Sequence, residues 1–293
     1  MSGAMPGRAA RPLSGSMSRS EGIALAVAAW LAIAAPLAAE APQRVVSMNL
    51  CTDQLAMLVA AEGQIVSVSY LAQDPGASAM AAQAAGLLPN RGRAEEIFLM
   101  RPDLVITGPY SNPTAADMLR RLGVAVLVVD PVSRLDEIPD RLAVIGAALG
   151  QADRAAKVAA DFEAGLGALV DTGPERPRAA LYGANGYSAG DRTLAGQILW
   201  AAGFDNIATE QGMPDGGILP LELLALSQPD MIVTSRAEPG ASRSEEILDH
   251  PVVAALRDGA IPGRMRDSDW VCGTPHVLGA IADLRGAREE AGR

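Results

Sequence analysis

The chain has 293 residues, 49% of them hydrophobic and only 3% aromatic, with a formal net charge of −10. That length and apolar content suffice for two ordinary α/β lobes with their own cores. A phosphate-binding surface needs clustered cations, and this acidic chain with its single lysine, Lys157, is a poor partner for nucleic acid and would be repelled by an anionic membrane, so no nucleic-acid partner and no membrane-embedded state are expected.

Residues 1–41 read as a cleavable signal peptide. Arg8, Arg11 and Arg19 precede an apolar run from Ile23 to Ala35, and small residues follow at Ala38, Ala39 and Ala41. Met17 offers an alternative start that would shorten this leader. About 13 apolar residues fall short of the ~20 that span a bilayer, and no cysteine ends the run to accept a lipid. Cleavage near Ala39–Ala41 and release into the periplasm are expected.

In the mature chain, Arg44–Met48 reads as a strand, and Asn49-Leu-Cys-Thr-Asp53 leads into an apolar helix ending near Gly63. Ile65–Ser69 is a second strand, and Tyr70 follows it. Residues 71–92, rich in Gly, Ala, Gln and Pro, read as loop with a short helix at most. Next comes Glu95-Glu-Ile-Phe-Leu-Met-Arg-Pro102-Asp103 and then Leu104–Thr107: a short helix, a proline that forbids its continuation, and a buried strand. A helix near Thr114–Leu122 stopped by Gly123 follows, then a strand at Val124–Val129. A helix capped by Ser133, with Asp136 at its third position, runs to Gly150 and completes a first lobe over residues 42–150.

Residues 151–173 read as one linker helix with Val158, Phe162, Leu166 and Leu169 as its apolar stripe, broken by Gly173-Pro-Glu-Arg-Pro177. The second lobe, 174–293, opens with a strand at Ala179–Tyr182 and a glycine-rich turn through Asn185, Gly186, Tyr187 and Gly190. A helix at Leu194–Ala202 stops at Gly203. The earlier motif then returns as Glu222-Leu-Leu-Ala-Leu-Ser-Gln-Pro229-Asp230 before Met231–Thr234. Ser242–His250 and Pro251–Leu256 read as helical, Met265–Ser268 as a short strand, Thr274-Pro275 as a helix start, and Arg285–Arg293 as a fraying tail.

Strands alternating with helices give an α/β fold with parallel sheets. The repeated unit is too far apart for a solenoid, whose period is about 20–50 residues. It fits two Rossmann-like lobes joined by the long helix, each carrying one glutamate at the same place. Tyr70, Tyr110, Tyr182, Tyr187 and Trp270 fall at or just past predicted strand ends, whereas Phe98, Phe162, Phe204 and Trp200 sit on or beside helices, as core residues do. Ligands of open α/β sheets bind outside the carboxyl ends of the strands. Those five aromatics therefore mark the walls of a cleft.

The export signal, the duplicated Glu…Pro-Asp-strand unit and the joining helix, with Arg44-Val-Val-Ser-Met48, Asn49, Asp53, Leu122-Gly123, His250-Pro251 and Trp270 ahead of Pro275, resemble a class III periplasmic binding protein. Members of that family deliver cobalamin, ferric siderophores or haem to ABC importers. The resemblance implies a monomeric receptor that holds a corrinoid or ferric siderophore between its lobes, with no cofactor and no resident metal. It implies ligand contacts from Asn49, Tyr70, Tyr110, Tyr182, Tyr187, Arg236 and Trp270. It implies docking of Glu95, with Glu96 as substitute, and of Glu222 against the arginines of a permease dimer. Haem-binding members carry a tyrosine shortly before the first repeat glutamate; Asn90-Arg91-Gly92-Arg93 has none, so haem is the alternative ligand.

Cys51 and Cys272 stand one per lobe at predicted helix starts. Three readings remain open: two buried thiols, which we place first; one disulfide tying the lobes; or a soft-metal site with Met48 and His276. An exported two-lobed enzyme or chelatase using these cysteines is the alternative from another class. It has little support, because Gly183-Ala-Asn-Gly186 lacks the dinucleotide glycine order, no Gly-x-Ser-x-Gly elbow is present, and two histidines leave few general bases.

Overall fold

The computed structural model describes Gly3 and residues 40–234, 242–263 and 265–292. Nearly all of the expected signal peptide and Arg236 lie outside the described residues. Short runs of β-branched and aliphatic residues form the strands, and helices cover their faces. In order come β1 (Val45–Ser47), α1 (Leu50–Val59), β2 (Ile65–Ser69), α2 (Ala81–Ala84), β3 (Leu88–Asn90), α3 (Ala94–Leu99), β4 (Leu104–Thr107), α4 (Pro113–Arg121), β5 (Val126–Val128) and α5 (Ile138–Ala148). The five strands form one parallel sheet in the order β3-β2-β1-β4-β5, the winding of an open doubly wound α/β sheet.

Two expectations fail in this lobe. Residues 71–92 are not only loop: Leu88-Pro89-Asn90 pairs with β2 as the sheet edge, a place where proline's missing N–H is tolerated. Ser133 does not cap the next helix; its N–H donates to Glu137 Oε2 at 2.8 Å. Instead α5 begins at Ile138 with Pro139 in its first turn, where no N–H is needed.

The helix α6 (Ala152–Leu169) follows, 18 residues long. Phe162 is its fully buried anchor. At Gly165 it approaches the C-terminal helix so closely that a Cβ would sit 2.7 Å from Leu278 Cδ1. The second lobe holds β6 (Arg178–Tyr182), β7 (Tyr187–Ser188), α7 (Leu194–Ala201), β8 (Asp205–Asn206), α8 (Ile207–Glu210), β9 (Gly217–Ile218), α9 (Leu221–Ser227), β10 (Met231–Thr234), α10 (Pro251–Gly259), β11 (Ile261–Pro262), α11 (Asp267–Trp270) and α12 (Val277–Ala291). Its parallel sheet runs β11-β10-β6-β8, separate from the first, and β7 and β9 pair antiparallel around the glycine-rich turn. The architecture is thus α/β, two lobes with parallel sheets joined by one long helix.

Here too some expectations are corrected. Met265–Ser268 is not a strand; Asp267–Trp270 is a helical turn and the edge strand is Ile261–Pro262. Arg285 onward is no fraying tail. The helix α12 runs to Ala291, Arg285 Nη1 donates to the Leu169 carbonyl at 3.1 Å, and Arg288 pairs with Asp171. Phe98 and Trp200, placed in the core by sequence, are half exposed; Trp200 is sheltered by the Arg176 guanidinium, 5.3 Å from its ring centroid.

The core is also less divided than two lobes suggest. Each sheet has an outer cluster of its own, around Ile97 and Leu119 in the first lobe and Leu224 and Ile232 in the second. The inner faces share a single cluster that runs from Val45, Leu142 and Phe162 to Leu199, Met231 and Ile281.

The duplicated unit repeats the same backbone tie and the same helix-end contact in both lobes. Asp103 accepts from the Arg44 N–H at 2.9 Å, and Asp230 accepts from the Arg178 N–H at 2.8 Å. The Arg44 guanidinium donates to the Met100 carbonyl at 2.7 Å, and that of Arg178 to the Ser227 carbonyl at 2.6 Å. Arg101 and Gln228, equivalent residues between helix and proline, both take left-handed backbone, with φ 51° and 46°. An αL residue at this position closes a helix and turns the chain.

Candidate functional site

The cleft is built where each sheet reverses its winding. In the first lobe β1 and β4 are neighbours, and the chains leaving them diverge. Asn49 follows β1 and caps α1, accepting from the Cys51 and Thr52 N–H groups at 3.0 and 3.3 Å. Its Nδ2 donates across the gap to Ser111 Oγ at 2.8 Å, on the segment following β4. In the second lobe β6 pairs β10 with Tyr182 opposite Thr234, so these two residues end neighbouring strands at the matching reversal.

A cavity of about 480 Å³ opens at the second reversal, within the usual size of a small-molecule site, about 300–1,000 Å³. Tyr182, Tyr187 and Trp270 line it, and the first lobe contributes Val132 and Ser133. A smaller cavity of about 120 Å³ adjoins it on the other side of Val132 and Val271, lined by Asn49, Tyr110 and Cys51. The structure thus brings five of the seven sequence-nominated ligand residues to one pair of adjoining cavities. Tyr70 lines neither; it follows β2 with the Arg91 guanidinium 4.8 Å from its ring centroid. Arg236 lies outside the described residues. Tyr110 is 86% exposed, held out on the segment after β4.

Local chemistry fixes these walls. Trp270 Nε1 donates to Asp267 Oδ1 at 3.2 Å within α11. Burial pushes the Tyr182 phenol above its usual range, and the charge of Glu222 adds to this; its side chain packs in the outer cluster of the second lobe with Leu219 and Leu224. Arg192, Thr193, Asp215 and Asp267 also line the cavity and were not nominated. Thr193 caps α7 through its hydroxyl, 3.1 Å from the Gly196 N–H, and a threonine ahead of the apolar run Leu194–Ala202 was the available signal. Arg192 and Asp215 face each other at 3.2 Å across the turn.

Beneath Asn49 lies Asp53, fully buried. Its Oδ2 accepts from the Ser69 N–H at 3.0 Å and the Ser69 hydroxyl at 2.5 Å, pinning the end of β2 to α1, while Oδ1 has no partner. Burial lifts this carboxyl from 3.8 to about 7, against the lowering effect of the nearby Ser47 hydroxyl and of the hydrogen bonds from Ser69.

The two cysteines are bonded. Cys51 Sγ and Cys272 Sγ are 2.13 Å apart with the Cα atoms 5.0 Å apart. This overturns the reading of two buried thiols and also the soft-metal cluster. It leaves the enzyme alternative without the thiolates it required. Among the described residues no group of three or more His, Cys, Asp or Glu is placed to hold a metal ion. The bridge fastens the segment after Trp270 to the first turn of α1. At the next residue, Gly273, a Cβ would collide with the Val132 side chain.

Glu95 and Glu222 are exposed in the first turns of α3 and α9. Neither pairs with a cation among the described residues. No described helix is long and apolar enough to cross a membrane.

Comparison with known proteins fits this geometry. The chain is 27% identical over 201 residues to a cobalamin-binding protein of Halobacterium salinarum, covering 66% of this chain and 54% of that one. It therefore spans about half the length of that relative. Its fold is similar to that of the periplasmic heme-binding protein RhuT from Roseiflexus sp. RS-1, with TM-score 0.71 and 24% identity over 86% of this chain and 99% of the other. It is also similar to the periplasmic vitamin B12 binding protein BtuF of Vibrio cholerae, with TM-score 0.61 and 21% identity over 86% and 98%. Residues 45–261 match the model of the family described as periplasmic binding protein. That match takes in the first sheet whole and the second but for Pro262, and the chain belongs to the periplasmic binding protein family.

Proposed function

We propose that this chain is a periplasmic solute receptor that captures a metal-chelate ligand, a corrinoid or a ferric siderophore, between its lobes and delivers it to an ABC importer of the inner membrane. The observation that carries this reading is the cavity at the second sheet reversal, walled by Tyr182, Tyr187 and Trp270 and closed by Val132 and Ser133 of the other lobe. Flat amphipathic rings offer large apolar area to a macrocycle and polar edges to its amide or carboxyl fringe. Binding involves no chemistry on the ligand. The name of the Halobacterium salinarum relative favours the corrinoid.

Delivery falls to Glu95 and Glu222. Each stands at the same offset in a duplicated unit, one per lobe, and each offers a carboxylate to a cationic partner. Charge reversal at both, Glu95→Arg with Glu222→Arg, is expected to abolish uptake while leaving ligand affinity unchanged.

The ligand is tested by fluorescence. In a Trp200→Phe variant lacking residues 1–41, Trp270 is the one remaining tryptophan and lines the cavity. Cyanocobalamin, cobinamide, ferric hydroxamates and hemin are titrated in turn. Saturable quenching by a corrinoid or ferric hydroxamate is expected, weakened about tenfold or more by Tyr187→Ala, a loss of ~1.4 kcal/mol. Quenching by hemin alone, or by none of the four, would overturn the assignment.

A further inference from the structure

We propose that Leu99 and Leu226 are paired apolar docking knobs that seat this receptor on a two-fold symmetric membrane permease, alongside Glu95 and Glu222. The proposal deepens the docking role given above and rests on it. Leu99 is 80% exposed and Leu226 is 79% exposed. Each stands four residues after its glutamate, on the same helix face. Each is followed by the same left-handed turn, at Arg101 and Gln228, and by the same arginine clamp, from Arg44 and Arg178. The two helices therefore present glutamate and leucine in one repeated local frame.

A single exposed leucine needs no explanation. Two at equivalent positions of a duplicated unit, with matching exposure, are different. Partly exposed Phe98 and Leu223 widen the two patches. No folding requirement keeps them, since neither leucine belongs to a core cluster. The carboxylates beside them pair with no described cation, so the occupant carries cations next to apolar ground. Two like patches on two lobes are met at once by a partner presenting two copies of one subunit. A permease dimer with an arginine beside an apolar depression on each subunit has that chemistry.

The test uses the full mature chain, ligand-loaded, and a candidate ABC permease of the same cell, held with its ATPase in lipid nanodiscs. Equilibrium docking is measured for Leu99→Ser, Leu226→Ser, the double variant, and Glu95→Arg with Glu222→Arg. We expect each leucine change to weaken docking by about tenfold and the double change by about a hundredfold, with ligand affinity and melting temperature unchanged. Docking by the leucine variants at full strength while charge reversal abolishes it would overturn this inference and leave the glutamate assignment standing. Full docking by every variant would overturn both. A dimer of the receptor in sedimentation, lost on Leu99→Ser, would assign the patches to self-association and overturn the permease as occupant.

Discussion

Asp53 shows how far one side chain can reach. It is buried in the helix that Asn49 caps and holds Ser69, so the end of β2 is pinned to α1 through it. Its carboxyl titrates near 7 in the folded chain and near 3.9 when unfolded. The folded state therefore binds more protons between those values, and the group makes stability fall as pH rises from about 4 to about 7, then level off. Asp53→Asn keeps an acceptor for Ser69 and removes the charge. Urea unfolding at pH 5 and pH 8 should show the variant gaining on the parent by a few kcal/mol at the higher pH, on the order of 1.4 kcal/mol per pH unit between the two titrations. An equal difference at both pH values would refute the assignment. Aromatics were legible in the sequence because so few exist and most stand where chains leave the sheets. Arg192, Asp215 and Asp267 were not, because a charge lining a cavity and a charge facing solvent are written alike. The disulfide was legible only as one of three readings: spacing along the chain says nothing about whether two Cα atoms come within 5.0 Å.

The duplicated helix-turn-strand carries its geometry in a few residues. Proline ends the helix, the aspartate ties the strand start to its neighbour, and the residue before proline must turn left-handed. Arginine and glutamine fill that turn at φ 51° and 46°, which costs a non-glycine residue about 1–2 kcal/mol. Gln228→Gly should therefore stabilise the fold by about 0.5–1 kcal/mol once glycine's extra unfolded freedom is set against the relief. A raised urea midpoint with unchanged slope is the readout, and a lowered midpoint would show that the Gln228 side chain makes a compensating contact. Elements with their own local signal, such as Ile65–Ser69 and Met231–Thr234, were readable to within a residue. Elements defined by their neighbours were not. Leu88-Pro89-Asn90 is a strand because β2 offers it an edge, although proline argues against it locally. Asp267–Trp270 is a helical turn placed by its neighbours rather than by its short polar sequence. Arg285 and Arg288 look like a solvated tail until Leu169 and Asp171 appear beside them.

At the scale of the molecule, two lobes share one inner core. A cluster that continues from Val45 through Phe162 to Ile281 means that parting the lobes widely would expose apolar area on both. The helix α6 packs against α12 through Gly165, and the Cys51–Cys272 bridge adds a covalent tie between residues 221 apart in sequence. Closure on ligand should accordingly be small, with the cleft largely formed beforehand. The bridge restricts the unfolded chain, an effect typically worth about 2–4 kcal/mol. Cys51→Ser with Cys272→Ser removes that restriction and leaves the shared core in place. The double variant should lose about 2–4 kcal/mol in urea, yet still unfold in one transition by both tryptophan fluorescence and far-ultraviolet circular dichroism. Two transitions, one for each lobe, would mean that the disulfide rather than the common core makes the halves a single folding unit.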